Sequence, residues 1–325
     1  MRGNSITGSW LKRLQSLIAL VVLAAVLSLA SDKFLTRENA VNVLLQISIN
    51  LCVSLGMTIV ILSGGIDLSV GSVLALAGAV GAGLLKNGFP IPKLGVMLQF
   101  TVLGSVVAAV LVGTVLGLFN GVAITRFRLP PFIATLGMLS VARGLAQLWT
   151  KGFPITGLGS GFGFLGTGRV LGIPMPVWIS AVLVVLIALL ARNTSFGRYV
   201  YAVGGNESAA KLSGVRVNRL KLGVYALGGA LAGVGGVLLT SRLDSATPNA
   251  GIGDELNSIA AVVIGGTSLN GGRGSVWGTV LGCLIIGLLN NGLVLWGVSP
   301  FWQQVIKGLV ILAAVALDRL TSTED

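Results

Sequence analysis

The chain has 325 residues, 54% of them hydrophobic and only 10% charged; soluble domains carry roughly 25% charged residues, so this surface cannot be kept in water. With 22 Lys+Arg against 10 Asp+Glu and no histidine, Ser-His-Asp and Cys-His nucleophilic sites and most zinc chemistry are excluded. The 48 glycines are about double the average usage, and with the apolar content they describe an all-α, polytopic membrane protein.

The net charge of +12 does not read as nucleic-acid binding, because the basic residues sit in short gaps between apolar runs. Cys52 and Cys283 lie inside such runs and read as small buried hydrophobes rather than a disulfide or metal pair. Measured against the ~20 residues needed to cross a bilayer, ten spans are expected: 14–30, 41–62, 66–85, 96–121, 131–150, 173–191, 222–240, 257–269, 276–296 and 303–317. The eighth is short, and the third follows a very tight gap. The first resembles a signal peptide ending at Ser28-Leu29-Ala30, but it is expected to stay as a span because the next run can anchor itself. No linker or fused domain interrupts 1–325, so one integral-membrane domain is expected.

Ten spans put both ends on one side, and charge chooses the side. Arg2, Lys12, Arg13, Arg126, Arg128, Arg192, Arg198, Lys211, Arg216, Arg219, Lys221, Arg273 and Arg319 share the N-terminal face. Only Lys33, Arg37, Lys86, Lys93, Lys151, Arg169 and Arg242 fall on the other. The positive-inside rule then places both termini in the cytoplasm.

Along the second span the neutral amides Gln46 and Asn50 stand among apolar residues, with Thr58 beyond them. The segment 63–72 (SGGIDLSVGS) breaks the run, and broken backbone at membrane depth survives only against protein or a watery cavity. It carries Asp67, which is expected to cap the helix starting near Leu68 and alternatively to touch solute or relay a proton. Gly113, Gly117 and Gly121 form a stripe at helical spacing in the fourth span, which also holds Asn120. Such stripes read as close helix packing. Thr135 and the buried cation Arg143 occupy the fifth span; Arg143 is expected to snorkel outward or to pair with Asp254 or Glu255.

The longest polar stretch, about 192–221, holds Gly204-Gly205-Asn206, able to cap a short helix from Glu207 to about Ser213 that Gly214 stops. Further small-residue stripes lie at Gly229 and Gly233, and at Gly274, Gly278 and Gly282; a second broken segment spans 265–275, and Asn290 and Asn291 lie in the ninth span. Amides of this kind suit a hydroxyl-rich solute and equally suit bonds between helices. No chain of buried acids and histidines is present of the sort that proton-coupled pumps use.

These blocks are together recognisable. SGGIDLSVGS (63–72), PFIATL (131–136), FGRYVYAVGGNESAAKLSGVRVN (196–218), the segment 248–256, AAVVIGGTSLNGGRG (260–274) and NNGLVLWGV (290–298) run in order along nearly the whole chain. They resemble the permease subunit of bacterial ABC importers for monosaccharides, of the ribose type. The resemblance implies no enzyme and no cofactor in this chain: two permease copies in the inner membrane, a separate cytoplasmic ATPase and a periplasmic sugar-binding protein. It also implies that Glu207, Ala209, Ala210 and Gly214 belong to a coupling helix that docks on the ATPase. The absence of a G-x-x-x-x-G-K-[ST] motif fits that division of labour. Outer-face Lys33, Arg37 and Arg242 are expected to meet the binding protein. Gln46, Asn50, Asn120 and Asn291 are expected to face the solute, with Asp67 supporting the broken helix. The alternatives are another sugar or furanosyl signal molecule, a branched-chain amino acid, or a self-contained proton-coupled transporter using Asp67.

Overall fold

A computed structural model describes residues 4–91 and 95–322; Arg2 and Lys93, counted above in the charge balance, lie outside them. The long helices follow the apolar runs. They are α1 (Asn4–Ala30), α2 (Arg37–Leu62), α3 (Val70–Asn87), α4 (Val102–Arg126), α5 (Pro131–Thr150), α7 (Met175–Asn193), α10 (Val217–Leu243), α12 (Val276–Leu295) and α13 (Pro300–Ser322). Shorter helices are α6 (Ser160–Thr167), α8 (Ser195–Gly205), α9 (Glu207–Leu212) and α11 (Asp254–Ile264).

Local chemistry sets the starts. Thr36, Thr101 and Ser275 accept the backbone N–H of Asn39, Gly104 and Gly278 ahead of α2, α4 and α12, satisfying donors that a helix leaves bare. Pro131 stands at the first position of α5, where its missing N–H costs nothing. Three two-stranded antiparallel ribbons complete the chain: β1 (Phe89–Ile91) with β2 (Val96–Leu98), β3 (Ile155–Thr156) with β6 (Ser245–Ala246), and β4 (Arg169–Val170) with β5 (Ile173–Pro174).

The centre of the bundle is α10, packed on α4, α3 and α2. The glycine stripes explain why. A Cβ on Gly113 would collide with the carbonyl of Gly229, one on Gly117 with that of Tyr225, and one on Gly121 would lie 3.0 Å from Leu222 Cα. The falling partner numbers show the two helices running antiparallel, backbone against backbone. Gly278 and Gly282 of α12 likewise rest on Gly265 and Ala261. Gly274 is not part of that stripe, since it precedes the helix and lies against Thr267. On the outer side α4 presents Leu103, Val107, Leu111, Val115 and Phe119, all exposed, as a helix surrounded by hydrocarbon should.

Among the described residues seven helices are long and apolar enough to cross a membrane. The expected eighth span, 257–269, is instead the 11-residue α11, which at 1.5 Å per residue covers only about 16 Å. The run 96–121 also divides, giving β2 and then α4, because Gln99 and Phe100 interrupt it before the Thr101 cap. Helix α8 was not legible in 192–221, because its own three glycines mask an amphipathic face of buried Gly197, Val200 and Val203.

Candidate solute path and coupling site

The break at 63–69 is held from within. Asp67 is 1% exposed, and its Oδ1 accepts the N–H (2.8 Å) and the hydroxyl (2.6 Å) of Ser69. The helix begins at Val70 with Ser69 in the cap position and no side-chain cap bond. Asp67 therefore does not cap α3; it closes a turn of the Asx type that delivers Ser69 to the helix end. Ser69 Oγ in turn accepts the Asn120 amide N–H at 2.9 Å, so Asp67 and Asn120, expected in separate roles, are joined through a serine that was not singled out from sequence. Asn120 Oδ1 is buried without a partner among the described residues. The carbonyl of Ile66 in the same turn accepts the hydroxyls of Thr135 and Tyr225 at 3.4 Å each.

A second polar line runs along α2. Gln46 is exposed and Asn50 half-buried one turn later; Asn42, not anticipated, is exposed one turn before. Residues at i, i+4 and i+8 share a helix face, so the three amides form a ladder. At its inner rung Asn50 Oδ1 accepts Ser258 Oγ of α11 at 3.4 Å. There the first turn of α11 adds Asn257 and Asp254, whose side chains bond at 3.4 Å. Asn291 is placed elsewhere: it exchanges two amide bonds with Asn39, at 3.0 and 2.7 Å, and its polar groups are occupied by that pair. The site thus brings Asn120 to Asp67 and Gln46 to Asn50, and no bond among the described residues links the two groups.

Arg143 lies near enough to the expected Glu255 and Asp254 for their charges to act on it, but its hydrogen bonds go to backbone. Its Nη1 donates to the carbonyls of Pro248 (2.7 Å) and Ala250 (2.6 Å). Those carbonyls belong to irregular chain between β6 and α11, which reaches Gly71 at the start of α3 through Gly251. The guanidinium satisfies backbone acceptors that have no helix to bond within, the requirement set at membrane depth. An apolar groove of about 600 Å³ between α3, α4 and α5, with Trp149, Leu116 and Val80 in its wall, lacks the polar groups a sugar needs.

The loop 192–221 folds as α8 followed at once by α9. Asn206 Oδ1 accepts the Ala209 N–H at 2.9 Å as the expected cap, and Gly214 ends the turn with φ +86°. Glu207 is exposed and pairs with Lys221 at 2.8 Å, Ala209 is exposed, and Ala210 is buried among Val203, Val217 and Leu220. Ala210 thus roots α9 on the bundle while Ala209 faces out. Leu212, absent from the sequence reading, is 90% exposed at the helix end. Of the residues expected to meet a binding protein, Lys33 and Arg37 are exposed, whereas Arg242 is half-buried with Gly166 packed on its backbone.

Residues 39–315 match the family described as the permease component of branched-chain amino acid transport systems. The chain is 46% identical to the ribose import permease protein of Escherichia coli strain K12, over 96% of this chain and 95% of that one. It is 48% identical to the ribose import permease protein of Bacillus subtilis strain 168, over 96% and 94%, and 39% identical to a D-allose transport system permease of E. coli, over 94% and 90%. No solved structure matches it at a significant level.

Proposed function

This chain belongs to the family of transport-system permease components, and we propose that it is the inner-membrane permease subunit of an ABC importer carrying ribose from periplasm to cytoplasm. The observation that carries the reading is near-full-length identity of 45–48% to ribose import permeases from three bacterial species, against 36–39% to those for allose, xylose and galactose. The chain is a transport subunit and not an enzyme; ATP is hydrolysed by a separate cytoplasmic subunit, and a periplasmic binding protein supplies the sugar.

The finer features follow from the same reading. Ten crossings result when 247–264 counts as one, made of the irregular segment and α11. Contacts between gaps support that alternation. The gaps after the second, sixth and eighth crossings meet around Gly64, Gly204 and Gly271, while those after the third, fifth and seventh meet through Lys86 with Thr156 and through β3 with β6. Gaps of one parity thus share an end, and the surplus of basic residues assigns the first end, with both termini, to the cytoplasm. A second copy is supported by α5, where Gly137 and Gly144 have no neighbour within 4 Å; the glycines of α4 and α10 are in close contact.

In this reading the amides Asn42, Gln46 and Asn50 line the path between copies, where hydrogen-bonding walls suit a neutral, hydroxylated solute. Asp67 and Asn120 set the start of α3, and α9 with Glu207, Ala209, Ala210 and Gly214 couples to the ATPase. Lys33, Arg37 and Arg242 face the binding protein. Against the proton-coupled alternative stands the local role of Asp67, whose Oδ1 accepts both the N–H and the hydroxyl of Ser69.

The test is uptake of labelled ribose by proteoliposomes holding the permease with its ATPase and binding protein. Import requires all three and ATP. Uptake by the permease alone, driven by a proton gradient, would instead establish the secondary transporter.

A further inference from the structure

Three chain segments meet at one end of the bundle with no side chain between them. They are the end of α2, the end of α8 and the loop that leads into α12. Gly272 N–H donates to the Leu62 carbonyl at 3.0 Å. A Cβ on Gly204 would collide with that same carbonyl, one on Gly271 would lie 2.9 Å from Gly64 Cα, and one on Gly272 would lie 2.6 Å from the backbone N and Cα of Gly205 and 3.1 Å from the Gly204 carbonyl carbon. The Tyr201 hydroxyl, one turn back on α8, donates to the Gly274 carbonyl at 3.1 Å.

The position of this junction gives it consequence. Only Asn206 separates α8 from α9, and its side chain is bonded to α9. On the other side, Gly64 opens the break that leads through Asp67 to α3, and Gly271 to Gly274 lead to α12. Both broken segments therefore touch the one helix that carries α9. Closely packed backbone does not deform continuously; it moves as a unit or separates.

We propose that Gly64, Gly204, Gly271 and Gly272 form a clasp through which displacement of α9 moves both broken segments together. The inference rests on the importer reading, in which α9 meets the ATPase. These glycines are positioning residues: none touches solute, and each acts by letting backbones approach.

The test compares two neighbouring substitutions in the complete reconstituted complex, reading ribose uptake and ATP hydrolysis together. Gly204→Ala forces α8 from Leu62; Gly205→Ala is the control, since a Cβ there meets nothing within 4 Å. Gly204→Ala is expected to lower sugar imported per ATP hydrolysed by about fivefold, the scale of known coupling effects, while Gly205→Ala leaves the ratio unchanged. A merely structural role would reduce the amount of assembled complex and leave that ratio intact.

If Gly204→Ala fails to assemble, Tyr201→Phe decides, because it keeps the ring and deletes the bond to Gly274. A lowered ratio in that variant supports the clasp. A wild-type ratio in Gly204→Ala, or in Tyr201→Phe where the first does not assemble, overturns it. Failure of the wild-type complex to import ribose would sink the importer reading instead, so the two outcomes are separate.

Discussion

Asn291 and Asn120 are both buried amides within helices, yet their surroundings give them different work. Asn291 shares two bonds with Asn39, so Asn291→Leu leaves the buried Asn39 Oδ1 without its donor, while Nδ2 keeps the Phe34 carbonyl, at a cost of about 1–3 kcal/mol. Thermal unfolding in detergent should show the loss, and Asn39→Leu/Asn291→Leu should recover part of it, because the two amides go together and only the Phe34 carbonyl loses its Asn39 donor. Asn120 retains an unpartnered Oδ1 beside the break. Asn120→Leu is expected to lower uptake while the complex with the ATPase still assembles; unchanged uptake would show that transport does not depend on its hold on the start of α3. Sequence marks both as polar residues in spans but carries no sign of which amide already has a partner. That depends on residues 51 and 252 positions away in the chain.

At the level of elements, the glycine stripes divide by what faces them. Gly113 lies against the Gly229 carbonyl, so Gly113→Ala should push α4 from α10 and cost about 1–3 kcal/mol, the usual penalty of overpacking. Gly137 on α5 has open space around it; Gly137→Leu should leave the melting temperature alone and shift a chemically cross-linked dimer toward monomer. Retention of the dimer would exclude this face of α5 from the contact between copies. For α9, exposed Leu212 gives the test its reach. Leu212→Glu should abolish co-purification of the ATPase subunit while the permease itself still inserts. The spacing of glycines was legible from sequence because a helix imposes it, as was α9 with its Asn206 cap. The 11-residue α11 was not legible as a fragment, because an apolar run looks the same whether it continues as helix or unwinds.

For the whole molecule, the pairing of gaps by parity and the balance of basic residues make one claim about orientation. A cysteine replacing Ser208 on α9 should react with a membrane-impermeant maleimide only from the cytoplasmic side, and one replacing Asp32 only from outside. The native Cys52 and Cys283 are buried and give little background. Equal labelling from both sides, or the reverse pattern, would break the ten-crossing arrangement. Composition alone settled that this chain lives in a bilayer, since a surface with 10% charged residues has no other solvent. Ordered local blocks settled the family, because loops and caps are written in contiguous residues. Only the tertiary structure decided that Arg143 serves backbone carbonyls, that Asp67 closes a turn, and that Gly64, Gly204 and Gly271 meet. Each of those depends on groups distant in the chain, and a position's own residue type does not say what folding will set against it.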